Sequence, residues 1–121
     1  MPDRPTSNPQ QFVQGSAVLH VPDIEATATY YRDVLGFHWD FGDETYSVVW
    51  RDNAAIHFAK GEAVPTGVHV FLWVCDVDEC HRQMAERAAE IVVPIGDRPY
   101  AIRDFTVRDP NGIDLIFGQD I

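Results

Sequence analysis

The sequence predicts an α+β protein made of two βαβββ modules, and three observations carry that prediction. A strand, an aspartate cap, an amphipathic helix and a glycine stop follow one another in AVLHVPDIEATATYYRDVLGF, from Ala17 to Phe37. The same order returns in GVHVFLWVCDVDECHRQMAERAAEIV, which starts at Gly67. There Val74, Asp76 and Val77 stand to Val21, Asp23 and Ile24 at a constant offset of 53 residues, the mark of an internal duplication. Finally, three short strand-like segments separated by turn residues follow each helical stretch.

Taken in order, residues Met1 to about Phe12 hold three prolines among Ser, Asn and Gln and read as a flexible tail, 1–13, ahead of a single domain over 14–121. Module one is expected over about 15–60. Alternation suits a strand over Ala17 to Val21; Pro22 cannot continue a ladder, and Asp23 is placed to cap a helix. Ile24, Thr27, Ala28, Tyr31 and Leu35 recur at helical spacing, with Gly36 at the left-handed stop. Strands are expected at Phe37 to Phe41, Tyr46 to Arg51 and Ala55 to Ala59, divided by GDET and Asp52-Asn53. GEAVPTG, 61–67, has the composition of a linker. Module two, about 68–119, gives a strand over Val68 to Val74 and a helix from about Val77 to Ala89 with the stripe Val77, Cys80, His81, Met84 and Ala88. Its strands are expected near Ile91 to Ile95, Ile102 to Arg108 and Ile113 to Gly118, the last two joined by the turn Asp109-Pro110-Asn111-Gly112. Neither half can bury a four-stranded sheet alone, so the halves should share a core or pair with another subunit.

Side chains alternate across a strand, and this assigns faces. Val70, Leu72 and Val74 should lie under the second helix and His69, Phe71 and Trp73 on the opposite, concave face. By the same rule Ile56 and Phe58 go inward and His57 outward, while Leu115 and Phe117 go inward and Asp114 and Ile116 outward. A concave face with Trp, Phe and two His suggests a ligand cavity, or a sheet face buried in a dimer.

Nineteen acidic residues against nine basic give a formal charge of −10, which argues against nucleic acid as a partner and permits a cationic ligand. No apolar run approaches the roughly 18 residues of a membrane span, and MPDRPTSNPQQ lacks the apolar segment of a signal peptide, so no membrane association and a cytoplasmic setting are expected. Cys75 and Cys80 form no zinc ribbon or redox CxxC and are expected to be inert. The Asp40-Phe41-Gly42 triplet spells a kinase motif by chance, because the chain is too short and lacks the companion signatures.

With duplicated βαβββ modules, VPDI…YYRDVLGF and RDPNGIDLIF in hand, the chain resembles the vicinal oxygen chelate superfamily (glyoxalase I, extradiol dioxygenases, fosfomycin-resistance enzymes and bleomycin-resistance proteins) over roughly Gly15 to Phe117. In the enzymes of that group four inward-facing strand positions hold a divalent metal, and by resemblance these fall on Ser16, His57, His69 and Ile116. Only the two histidines are good ligands, so no metal is expected, and any metal would rest on His57 and His69. LGFHWDFGDETYSVVWRDNAAIHFAKG and GDRPYAIRDFTVRDPNG are similar to segments of the bleomycin-resistance proteins, which have the fold without the metal. In that family two aromatics flank the planar bithiazole of the drug across a dimer groove; here the resemblance puts them at Tyr46 and Tyr100, with Phe41 lining the same groove, while Trp73 reads as groove lining or dimer packing and His57 and His69 as a former metal pair or polar contacts to a ligand. Asp40, Asp43 and Glu44 would offset a cationic tail. The resemblance therefore implies a homodimer without catalytic residues or cofactor that sequesters a small aromatic, cationic molecule such as a glycopeptide antibiotic. The alternatives are a metal-dependent glyoxalase- or dioxygenase-like enzyme using His57 and His69, and a binder of an unrelated metabolite.

Overall fold

The structure, a computed structural model, describes residues 14–121, so the expected tail, 1–13, lies outside the described residues. The elements run β1 (Ala17–Val21), α1 (Ile24–Asp33), β2 (His38–Gly42), β3 (Tyr46–Arg51) and β4 (Ala54–Lys60). After the linker come β5 (His69–Trp73), α2 (Val77–Glu86), β6 (Glu90–Asp97), β7 (Ile102–Arg108) and β8 (Asp114–Asp120). Both halves are βαβββ, and both make a sheet of the same order, β1-β4-β3-β2 and β5-β8-β7-β6. In each the first strand pairs parallel with the last, and the last three form an antiparallel meander.

The helix starts follow the aspartates. An Asp23 oxygen accepts from the Ala26 amide at 3.0 Å, and an Asp76 oxygen from the Glu79 amide at 3.1 Å. Each satisfies an amide that the first helical turn leaves without a carbonyl. The stops differ. After α1 the chain turns at Gly36, φ +77°, where an added Cβ would lie 2.9 Å from Nη1 of Arg51. α2 ends at Glu86, short of the expected Ala89. Ala88, expected on the buried stripe, lies beyond the helix, exposed, at φ +61°. The Ala89 amide reaches the Met84 carbonyl at 3.0 Å and the Ala88 amide that of Ala85 at 3.1 Å, a Schellman reversal with alanine in the seat glycine usually takes. The strand β6 is longer than expected and crosses Pro94, which its edge position tolerates because no inner ladder needs that amide.

The inner faces match the alternation. Ile56, Phe58, Leu115 and Phe117 are buried with Tyr31 and Met84 in one core that draws on both halves. Polar links cross the same junction. The Tyr31 hydroxyl donates to Asp109 Oδ2 at 2.7 Å, and Asn111 Nδ2 donates to Thr27 Oγ1 at 2.9 Å. Arg51 donates to the Leu35 carbonyl at 2.9 Å and to Gln83 Oε1 at 3.2 Å. The hairpin of each half thus reaches across to the helix of the other. Among the described residues no helix is long and apolar enough to cross a membrane.

Candidate functional site

The faces of the two sheets that turn away from the shared core carry the chemistry. On the first sheet the ladder aligns Val18, His57, Val48 and Phe41 in one row, with His20, Ala59 and Tyr46 in the next. Tyr46 is fixed from below and from the side. Asp43 Oδ1 accepts from the Thr45 amide (2.8 Å), the Thr45 hydroxyl (2.7 Å) and the Tyr46 amide (3.2 Å), so the GDET segment is an Asx turn that ends where Tyr46 begins. Those donors, the Thr45 hydroxyl first, hold the Asp43 carboxyl below the usual carboxylate range and keep it charged. Above the sheet, the Tyr46 hydroxyl and His57 Nδ1 share a hydrogen bond of 2.6 Å with the rings edge to face. A donating phenol requires the imidazole tautomer with its proton on Nε2. Tyr46 stays 38% exposed and Phe41, farther along the same face, 60%.

On the second sheet Phe71 and Trp73 stand side by side, ring centroids 4.6 Å apart. Phe71 lies over Gly118, where a Cβ would come within 2.5 Å of its ring, so the glycine makes its seat. His69 is opposite Asp114, and Arg108 binds Asp114 at 2.9 Å, which holds that carboxyl below its usual range. Tyr100, 61% exposed, sits in the turn between β6 and β7 rather than in a strand. Arg98 ties that turn down: its guanidinium donates to Asp104 Oδ1 at 2.7 Å and to the carbonyls of Pro94 (2.6 Å) and Asp104 (3.1 Å). Sequence reasoning missed this anchor, although Asp104 at an alternate position of an apolar strand was its signal. Removing the cation leaves a mostly buried carboxylate unpaired, so Arg98→Ala should cost about 1–3 kcal/mol in urea denaturation and speed hydrogen exchange in 98–101.

His57 lies on the first sheet and His69 on the second, one in each module as the sequence divides them. Ser16, expected within the first strand, precedes β1, because pairing with β4 begins at Ala17. Ile116 does point to the open face beside Phe71 but offers no donor atom. His57 Nδ1 is already engaged by Tyr46, and no cluster of three His, Cys, Asp or Glu suited to a metal occurs among the described residues. This donor set does not fit a divalent catalytic metal. Trp73, 40% exposed, reaches both the open face and the edge of a cleft between the halves.

Residues 13–117 match the Glyoxalase/Bleomycin resistance protein/Dioxygenase superfamily, and the chain belongs to that superfamily. Among solved structures, the bleomycin-binding protein of bleomycin-producing Streptomyces verticillus, complexed with copper(II)-bleomycin, is 30% identical, with a TM-score of 0.77 over 88% of this chain and 95% of that one. A bleomycin resistance determinant encoded on the transposon Tn5 reaches a TM-score of 0.81 at 21% identity, covering 90% and 98%. A glyoxalase-related enzyme from Clostridium phytofermentans gives 0.76 at 18%, covering 93% and 99%. At those two lower identities the likeness shows the fold alone. A search of curated protein sequences gives no match.

Proposed function

We propose that this chain binds and sequesters a small aromatic, cationic molecule of the glycopeptide-antibiotic kind, untransformed, in grooves between two copies in the cytoplasm. One observation carries the reading: Tyr46 and Tyr100 are exposed rings on anchored segments, Tyr46 on the open face of the first sheet and Tyr100 in the turn between β6 and β7. The two faces turn away from the common core, so a second copy is what would bring Tyr46 of one chain across from Tyr100 of the other. A planar group between them gains offset stacking and hydroxyl contacts. The net charge of −10, with Asp40, Asp43 and Glu44 near Phe41, favours a cationic tail. The 30% identity to a bleomycin-binding protein supports this ligand class.

Calorimetric titration of chelator-treated protein with bleomycin tests the reading. Saturable binding near one drug per chain is the expected result. Absence of heat, with no competition against a labelled drug, removes the antibiotic assignment and leaves an unrelated metabolite as the ligand.

A further inference from the structure

The duplication supplies an internal control on how the halves meet. At the offset of 53 residues Tyr31 corresponds to Met84 and Thr27 to Cys80. The ladders pair Val49 with Ile56 and Val107 with Leu115, so Val49 corresponds to Val107 and, two residues on, Arg51 to Asp109. The two junctions are therefore built from matching positions and can be compared directly.

One junction is filled. Asp109, 2% exposed, accepts the Tyr31 hydroxyl; Asn111 reaches Thr27; and the Tyr31 ring packs edge-on against Phe37 and Phe58. The other is not. Met84 has no ring or hydroxyl to span the gap, and Cys80 stands where Thr27 holds Asn111 in the first. The facing turn is shorter, with two residues between Arg51 and Ala54 against three between the bonded Asp109 and Ile113. Arg51 is drawn aside to the Leu35 carbonyl and Gln83. What remains is a cleft of about 440 Å³ between α2 and the turn after β3.

We infer that this cleft is a second small-molecule site, contained in one chain, for an aromatic molecule carrying an ammonium group. Its volume lies within the roughly 300–1,000 Å³ of small-molecule pockets. Phe37, Met84 and Phe117, each almost wholly buried in the core, give it an apolar floor, and the more exposed Trp73 stands at its edge. The charged lining is Arg51 against Asp52, Asp76 and Glu79. Arg51 donates only to neutral acceptors and keeps its charge, while Glu79 is paired with Arg82; Asp52 and Asp76 together outweigh Arg51 by one negative charge, and that balance favours a cation. Neither Tyr46 nor Tyr100 lines the cleft, and the inference does not rest on the drug-binding reading.

Amide-resolved NMR titration of the full chain separates the outcomes. Phenethylamine should shift the amides of Asn53, Cys75 and Gln83 saturably and leave those of Tyr46 and Tyr100 in place. The anion 3-phenylpropionate, of similar size, should bind at least about tenfold more weakly. Met84→Tyr, which puts the phenol of the filled junction into the open one, should abolish the shifts. Cys75→Phe at the exposed rim does the same without touching the core, in case the first variant fails to fold. Absence of saturable shifts, equal affinity for the anion, or shifts that persist in a folded blocking variant would overturn the site.

Discussion

Asp109→Ala should lower stability by about 3–5 kcal/mol, read as a drop in the urea midpoint at unchanged slope. Two carboxylate oxygens serve three donors there: Oδ1 takes the amides of Asn111 (2.8 Å) and Ile113 (2.9 Å), and Oδ2 takes the Tyr31 hydroxyl at 2.7 Å. Alanine leaves all three without an acceptor in a buried junction, at about 1–3 kcal/mol each before relaxation. A loss below about 1 kcal/mol would show that the link is not structural. The same bond gives a pH signature. Burial first, and the neighbouring Asp109 charge second, hold the Tyr31 phenol well above its ordinary value of 10.0. A raised folded pKa means that its share of stability is complete below pH 10.0 and is lost as pH climbs toward the folded value. Alkaline unfolding should therefore steepen above pH 10.0, and Tyr31→Phe should flatten that limb relative to its own neutral-pH stability. Asp109 is likewise raised, by burial, so its contribution is complete below 3.8 and declines as pH rises through its folded value.

Tyr100→Ala should weaken bleomycin binding about 10–100-fold, through the lost stacking partner and its buried area, while leaving thermal unfolding nearly unchanged. Its side chain is exposed in a turn whose anchor is Arg98 and Asp104, so truncation removes no fold contact that holds the turn. Tyr46→Ala should weaken binding similarly, but it also strips His57 of its phenol, which makes Tyr100 the cleaner probe. Unchanged affinity in the folded Tyr100 variant would remove the stacking arrangement.

The parts of the fold governed by local periodicity were legible in the sequence. The α1 stripe from Ile24 to Leu35 is buried as expected, both aspartates cap, and alternation assigned the faces of His57, Phe71 and Trp73 correctly. The end of α2 was not legible, because Ala88 takes a left-handed turn with no glycine to announce it. Alternation tells which face a residue occupies but not which sheet lies opposite. His57 and His69 fall in different sheets, as the two modules imply, and alternation fixes the face of each without fixing the distance between them. The Tyr46–His57 bond needs the register of β3 on β4, and the Arg98 anchor needs the fold of a turn; neither has a periodic signature. Nor did the sequence reveal that matching positions leave one junction filled and the other open.

The Tyr31–Asp109 bond joins residues 78 positions apart, and this bears on how the chain is made. At about 5–20 residues per second, translation delivers the carboxylate roughly 4–16 seconds after the phenol. Through that interval the first half lacks both the carboxylate and the core residues that the second half supplies. The bond needs the turn after β7, so the final hairpin is required before the two halves are joined by it.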